Sequence, residues 1–310
     1  MDTNVKPTLI VLVGPTAVGK TTVAIQLATW LDTEIVSTDS RQFYREMHIG
    51  TAKPSASELE AVPHHLVDFL SVEEPYDVAQ FEADALQALH DIFSRKNTAI
   101  ATGGSGLYVS TLCEGIDDMP EIDAGIREGL QQKLENEGLE SMVEMLRNVD
   151  PEFFAQADMQ NPRRVLRALE VYQQTGKTFS SFRKKITGKS RHEFSIIKIG
   201  IFRERNALYE RINRRVDMML EEGLFEEAVR LFPNRHLNAL QTVGYQEIFS
   251  HLEGAYDQQE AIRLIKRNTR RFAKRQMTWF RRDDTIQWFD AEKDEAQLIR
   301  EIKKYIALRV

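Results

Sequence analysis

The N-terminal segment places an uninterrupted run of apolar residues directly before a glycine-rich turn. Thr8–Val13 reads TLIVLV, Gly14–Thr21 reads GPTAVGKT, and apolar residues then recur at helical spacing from residue 21 to residue 31. An apolar, β-branched run of this kind predicts a strand that is buried on both faces, as in parallel sheets covered by helices. The order of strand, turn and helix therefore favours an α/β fold.

The turn matches the pattern G-x-x-x-x-G-K-[ST], in which backbone N–H groups curl around phosphate oxygens. The predicted phosphate-binding residues are Gly14, Pro15, Thr16, Ala17, Val18, Gly19, Lys20 and Thr21. Lys20 supplies a positive charge, the Thr21 hydroxyl can ligate Mg²⁺, and the following helix directs its positive end at the anion. The motif alone leaves the phosphate compound open, and a nucleoside triphosphate bound by a kinase or NTPase is the default.

Other segments extend the α/β pattern along the chain. Residues 34–38, 98–102 and 196–202 have the composition of buried strands, and residues 77–96 have one apolar helical face. Strands that alternate with helices predict a doubly wound parallel sheet.

Residues 117–191 differ from the rest because they contain no convincing strand. Their predicted helices lie at residues 122–137, 139–147 and 161–174. Since a strand follows this block, it is expected to be an all-helical insertion into the α/β core. We therefore predict a P-loop α/β core formed by residues 1–116 and 192–310, mostly helical after residue 207, and a helical insertion domain formed by residues 117–191.

The ends of four predicted elements are expected to meet at one edge of the sheet, where ligands of open α/β sheets bind. These are the Gly14 loop, Asp39 with Ser40, the segment Gly103–Ser105, and Arg203 with Arg205. A carboxylate, a hydroxyl and arginines beside a phosphate cradle suit a group-transfer reaction. Asp39 is the one good acidic candidate, and spacing leaves open whether it is a metal ligand or a general base.

Charge and composition restrict the location and the partners. The net charge is −6, yet residues 263–282 contain nine Lys or Arg and no acidic residue, and residues 155–191 contain nine against two acidic residues. Local basic segments of this kind can bind a polyanion. The longest apolar stretch, Leu9–Val13, is too short to span a bilayer, the N-terminus does not resemble a signal peptide, and there is one cysteine. We expect a cytoplasmic protein with no membrane contact.

Eight motifs in order closely resemble the bacterial tRNA dimethylallyltransferase family, also called tRNA isopentenyltransferases or IPP transferases. They are Gly14–Thr21, VSTDSRQFY (36–44), IGTAKP (49–54), PHHLVD (63–68), GGSGLY (103–108), NPRRVLRALE (161–170), QTVGY (241–245) and TRRFAKRQMTWFR (269–281). The resemblance implies that the cradle holds dimethylallyl diphosphate. The prenyl group would pass to the exocyclic amine of adenosine 37, just 3′ of the tRNA anticodon, with release of diphosphate.

The resemblance also implies residue roles. The catalytic residues would be Asp39, Ser105, Lys20, Thr21 and Arg211, with Ser105 standing where the family usually has threonine and Mg²⁺ on Thr21 as the cofactor. Arg211 is preferred to Arg203 or Arg205 for stabilising the diphosphate. The tRNA-binding residues would be Asp39, Ser40, Arg41, Gln42, Ser105, Arg127, Arg163, Arg164, Val165, Leu166, Arg167, Gln241, Thr242, Val243, Gly244, Tyr245 and Gln246. The expected partners are the tRNA anticodon stem-loop and dimethylallyl diphosphate, bound by a monomer.

Three alternatives remain open from the sequence. An adenylate isopentenyltransferase would prenylate free AMP, ADP or ATP, but would not need the basic helical block. A small-molecule kinase would have Asp39 as its only credible acidic partner for a metal. A P-loop protein that binds RNA without catalysis is the non-enzymatic possibility.

Overall fold

The computed structural model describes residues 6–117, 119–183 and 192–310. The chain divides into two compact units, which are residues 1–115 with 190–310 (the sheet unit) and residues 116–189 (the helical unit). The end of the basic segment 155–191, from residue 184 to residue 191, lies outside the described residues.

The described part of the sheet unit contains a six-stranded sheet in which all neighbours are parallel. The strand order is β3-β2-β4-β1-β5-β6. The strands are β1 (Thr8–Val13), β2 (Ile35–Ser37), β3 (His64–His65), β4 (Thr98–Gly103), β5 (Ser195–Phe202) and β6 (Gln287–Asp290). The predicted α/β fold with a parallel sheet is confirmed.

The central strand β1 explains why its sequence is apolar throughout. It pairs with β4 on one side, from Thr8 opposite Thr98, and with β5 on the other, from Thr8 opposite Ser195. Its alternate side chains enter different cores: Leu9, Val11 and Val13 face one, whereas Ile10 and Leu12 face the other. Both faces of the strand are therefore removed from water, and the burial of its apolar side chains stabilises the sheet through the hydrophobic effect.

Helices cover both faces of the sheet. Phe81 and Leu89 of α3 (Val78–Phe93) belong to one core. Leu27 of α1 (Lys20–Leu31) and Ile302 of α13 (Glu295–Ala307) belong to the other. The side chains of Asp77 and Gln80 form a capping box that fixes the start of α3. The helices of this unit are α1 (Lys20–Leu31), α2 (Ala56–Ala61), α3 (Val78–Phe93), α4 (Gly106–Glu114), α9 (Arg205–Glu221), α10 (Leu224–Leu231), α11 (Tyr245–Leu252), α12 (Gln258–Phe280) and α13 (Glu295–Ala307).

The helical unit has a separate apolar core made by residues such as Leu130, Met142, Leu146 and Val165. Its helices are α5 (Ala124–Val149), α6 (Pro151–Gln156), α7 (Pro162–Thr175) and α8 (Phe179–Phe182). Gly138 interrupts α5 with a φ of 80° and a ψ of 172°, so two helical stretches meet at this glycine, where the sequence predicts a break.

Two strands escaped the sequence analysis. β3 has only two residues, and β6 has four residues in a region that is otherwise mostly helical, as predicted after residue 207. Both are edge strands, and short edge strands carry little apolar periodicity. No helix among the described residues is both long and apolar enough to cross a membrane.

Candidate active site

The loop between β1 and α1 has a backbone conformation that requires its glycines. A Cβ at Gly14 would stand 2.6 Å from the carbonyl oxygen of Ile201, and Gly19 has a φ of 110°. Gly19 caps α1 without a side-chain hydrogen bond, so the cap adds no acceptor for the first N–H groups of the helix. A helix start in this state favours an anion at its N-terminus.

Lys20 is the first residue of α1, and its side chain folds back against this loop. Its Nζ donates hydrogen bonds to the carbonyl oxygens of Gly14, at 3.0 Å, and of Pro15, at 2.9 Å. Burial, helped by the charge of Arg215 and opposed by the carboxylate of Asp39, lowers the pKa of Lys20 from 10.5 to about 7. An anion bound in the loop would favour the protonated amine.

A cavity of about 420 Å³, called here the cationic cavity, opens in front of the loop. Besides Lys20, three arginines of α9 line it: Arg211, Arg214 and Arg215. Burial lowers the pKa of Arg215, and the Asp39 carboxylate counteracts that effect. Asp39 is the one acidic side chain among the described lining residues. An excess of positive charge of this size suits a polyphosphate anion.

The predicted cradle residues divide into two groups. Thr16, Ala17, Gly19, Lys20 and Thr21 line the cationic cavity. Gly14, Pro15 and Val18 do not line it. They shape the loop instead, because the Gly14 and Pro15 carbonyls hold Lys20 and the Val18 carbonyl accepts a hydrogen bond from Arg203.

Asp39 follows β2 and is held in a turn by its own side chain. Its Oδ1 accepts hydrogen bonds from the backbone N–H groups of Arg41, at 2.9 Å, and Gln42, at 3.3 Å. These bonds fix the carboxylate on a rigid turn at the carboxyl end of a strand. Within the described residues both bonds end on Oδ1, which leaves Oδ2 for a substrate or an ion.

A second cavity of about 480 Å³ adjoins the first. Its lining includes Ser40, Arg41, Ser105 and the segment from Gln241 to Gly244, together with Gln246. Ser105 is the N-cap of α4, yet its hydroxyl makes no capping hydrogen bond. The two cavities share the lining residues Thr16, Asp39, Thr51, Gly104, Arg215, Phe272 and Gln276.

Gln276 of α12 lies in the wall that the cavities share. Its Oε1 accepts a hydrogen bond from the N–H of Thr16, at 2.8 Å, and its Nε2 donates to the carbonyl of Gly104, at 2.9 Å. A Cβ on Gly104 would stand 2.2 Å from that Nε2. One amide side chain therefore ties the phosphate loop to the segment that carries Ser105.

Several residues of the predicted site do not line the second cavity. Tyr245 is fully buried and its hydroxyl is bonded to Glu227, so its side chain offers no surface to RNA. Gln42 lines the cationic cavity rather than the second cavity. Neither Arg203 nor Arg205 lines either cavity, because Arg203 bonds the loop backbone and Arg205 lies over the ring of Tyr209.

The remaining predicted tRNA contacts belong to the helical unit. Arg163 and Arg164 are exposed near the start of α7. Arg127 and Arg167 each pair with buried Glu170. Two apolar members of the set pack inward: Val165 is 0% exposed within the core of this unit, and Leu166 packs against that core. The Val165 side chain is therefore not exposed for a contact with RNA.

Arg215, which was not among the predicted site residues, lines both cavities. A signal was present, because Arg215 follows Arg211 by four residues and side chains at that spacing share one helix face. Gln276 was missed as a site residue because its partners are 260 and 172 residues away in the chain.

The site also fits a magnesium ion that is coordinated mainly by the phosphates of a bound substrate. No group of three or more His, Cys, Asp or Glu side chains among the described residues could hold a metal by itself. Thr21 and Asp39 both line the cationic cavity and offer a hydroxyl and a carboxylate. Mg²⁺ is commonly bound through one or two such groups plus substrate phosphates.

The fold and the site define a P-loop α/β protein in which a cationic cavity and a second cavity meet at a carboxylate. A model of the family described as IPP transferase matches residues 42–283. The chain belongs to the IPP transferase family, as its motifs predict.

Individual relatives are similar over nearly the whole chain. A tRNA dimethylallyltransferase 1 of Bacteroides thetaiotaomicron is 47% identical over 303 residues, which cover 98% of this chain and 96% of that protein. The crystal structure of a tRNA isopentenylpyrophosphate transferase from Bacillus halodurans has a TM-score of 0.73 at 39% identity, covering 97% of this chain and 96% of that one. A eukaryotic dimethylallyltransferase acting on tRNA has a TM-score of 0.79 at 28% identity, covering 98% of this chain and 80% of that one.

Proposed function

We propose that this protein transfers the dimethylallyl group of dimethylallyl diphosphate to the exocyclic amine of adenosine 37 in tRNA and releases diphosphate. The observation that carries the proposal is the position of Asp39, which lies in the wall of both the cationic cavity and the second cavity. A donor in one cavity and an acceptor base in the other would meet at this carboxylate. The enzyme class predicted from the sequence, a tRNA dimethylallyltransferase, is confirmed by the relatives.

Asp39 acts on the acceptor in this proposal. The amine nitrogen of adenine is a poor nucleophile because its lone pair is delocalised into the ring. As the nitrogen forms a bond to C1 of the prenyl group, the bond from C1 to the diphosphate oxygen breaks, and the amine proton passes to Asp39. Proton transfer to a positioned base contributes about 10²- to 10⁴-fold to a rate. The Ser105 hydroxyl makes no capping hydrogen bond to α4, and it is placed to form a hydrogen bond with the base.

The cationic cavity acts on the donor. Diphosphate leaves as a polyanion, and fixed positive charge around it stabilises the transition state more than the ground state. Lys20, Arg211 and Arg215 supply this charge. Arg215 shares the role first assigned to Arg211, because it lines both cavities whereas Arg211 lines one. Mg²⁺ would be held by Thr21 together with the phosphates of the donor and would neutralise further phosphate charge.

Recognition of the tRNA requires that the adenosine leave its stack, which costs a few kcal/mol. Contacts between basic side chains and phosphates can offset that cost. Within the sheet unit, Arg41, Arg275 and the segment 241–246 border the second cavity. Within the helical unit, Arg163 and Arg164 are exposed for phosphate contacts.

The acceptor is tested by competition. The protein is incubated with labelled dimethylallyl diphosphate and Mg²⁺, and unmodified tRNA, an anticodon stem-loop and AMP are offered together. We expect the label on tRNA, on the stem-loop to a smaller extent, and not on AMP. Label that appears only on AMP would identify an adenylate isopentenyltransferase instead.

A further inference from the structure

A buried carboxylate outside both cavities holds one of the loops that line them. Glu227 of α10 is 2% exposed. Its Oε2 accepts hydrogen bonds from the backbone N–H groups of His48, at 2.9 Å, and Ile49, at 2.8 Å. Its Oε1 accepts from the N–H of Gly50, at 2.9 Å, and from the Tyr245 hydroxyl, at 2.6 Å.

This arrangement is specific to a carboxylate. Burying a charged group is unfavourable unless its oxygens are hydrogen-bonded, and here both oxygens accept two bonds each. The donors are three successive backbone N–H groups and one phenol, so they contribute no formal charge. Burial and the adjacent Glu227 raise the pKa of Tyr245, which keeps its hydroxyl a donor. A side chain with one oxygen could not accept all four bonds.

The first segment held by Glu227, the loop 48–52, is connected to Asp39 by hydrogen bonds through Gln42. Gly50 and Thr51, at the end of the bonded loop, line the second cavity. The Gln42 side chain donates hydrogen bonds to the carbonyls of Thr51, at 3.3 Å, and Ala52, at 3.1 Å. The backbone N–H of Gln42 in turn donates to Oδ1 of Asp39. A continuous series of hydrogen bonds therefore connects the loop to the proposed base.

The second segment held by Glu227 is the one that contains Tyr245. The ring of Tyr245 packs on Gly50 so closely that a Cβ there would stand 2.6 Å from ring atoms. The preceding residue, Gly244, lines the second cavity and donates its N–H to Glu247, at 2.7 Å. One carboxylate thus fixes two segments that are distant in sequence, and both border the same cavity.

We infer that Glu227 is a positioning residue for the acceptor half of the site, which sets the loop 48–52 and the segment 241–246 around the substrate base and, through Gln42, orients Asp39. The inference rests on the proposed function, because the second cavity is taken to receive the tRNA base. It predicts a larger effect on the acceptor than on the diphosphate donor, because Glu227 does not contact the phosphate loop, whereas Gln42, Thr51 and Ala52 do line the cationic cavity.

The test compares Glu227→Gln with Glu226→Gln, a control that makes the same change at the exposed neighbouring position. In Glu227→Gln an amide NH₂ replaces one acceptor oxygen and faces the N–H donors. We expect kcat/KM for tRNA to fall by about 10- to 100-fold through a higher KM for tRNA and a lower kcat. The KM for dimethylallyl diphosphate and the Kd of inorganic diphosphate should change by a smaller factor than the KM for tRNA. A purely structural defect would instead lower kcat alone, in proportion to the folded fraction.

A second variant and a second readout keep the inference falsifiable. Tyr245→Phe removes one of the four hydrogen bonds and keeps the ring, so a smaller rise in the KM for tRNA is expected, and this variant carries the test if Glu227→Gln does not fold. Amide hydrogen exchange at residues 48–50 should be faster in Glu227→Gln than in the control. Active wild-type protein with unchanged tRNA kinetics in both variants would overturn the inference and leave the proposed function intact. Wild-type protein that fails to prenylate tRNA would overturn both.

Discussion

Replacing Asp39 with asparagine separates the two roles that this residue could have. Asparagine keeps an oxygen that can accept the hydrogen bonds from Arg41 and Gln42, so the turn is preserved. The variant loses the proton acceptor, and we expect kcat to fall by about 10² to 10⁴-fold, which corresponds to about 3–5 kcal/mol of transition-state stabilisation. Affinity for diphosphate should not decrease, because one negative charge leaves the cationic cavity.

The assay combines single-turnover prenylation of tRNA with calorimetric titration of diphosphate in the presence of Mg²⁺. Asp91→Asn serves as a control, since Asp91 is an exposed residue of α3 that lines neither cavity. A rate within tenfold of the wild type would remove Asp39 as the general base. A loss of diphosphate affinity that appears only with Mg²⁺ would instead identify Asp39 chiefly as a metal ligand.

Three further predictions concern charge. Arg215→Gln should lower kcat by about 10²- to 10³-fold, the range for one lost donor at a developing anion, and should raise the KM for dimethylallyl diphosphate; unchanged donor kinetics would contradict this. Replacing Arg163 and Arg164 with glutamine should reduce the slope of log Kd for tRNA against log salt by about 1 per lost phosphate contact, and an unaltered slope would exclude those contacts. The hydrogen bond from Arg95 lowers the pKa of Glu34, so its stabilising effect is present above the unfolded pKa and is lost as the pH falls through the folded value. Thermal unfolding should show Glu34→Gln about 1 kcal/mol less stable than wild type at neutral pH, with the gap closing in acid.

The fold was largely predictable because its core strands are buried on both faces. Thr8–Val13 was predicted as a strand with the same bounds that the structure shows. The phosphate loop after it requires glycine at positions 14 and 19 for steric and backbone reasons, and the motif already specifies glycine at both. The short edge strand at His64–His65 was not predictable, since two residues cannot show a period. Its place in the sheet depends on pairing with a strand that lies about thirty residues earlier.

The site was predictable where one segment carries both the geometry and the chemistry, as at Asp39 and Lys20. It was not predictable where distant segments meet. Gln276 bonds two loops that lie far away in the chain, and nothing in its own helix distinguishes it from a packing residue. Val165 and Tyr245 have buried side chains, because a motif indicates which segment contacts a ligand but not which side chains of that segment turn inward.

In the proposed reaction a prenyl group passes from a diphosphate to an RNA base at a shared carboxylate. The most direct test is mass spectrometry of nucleosides from tRNA after reaction with dimethylallyl diphosphate and Mg²⁺ in the complete absence of nucleoside triphosphates, with diphosphate release measured in parallel. If the proposed reaction is correct, we expect prenylated adenosine at position 37 and one diphosphate released for each prenyl group transferred. Unmodified adenosine under these conditions, together with transfer of a phosphoryl group to an acceptor when ATP is supplied, would contradict it.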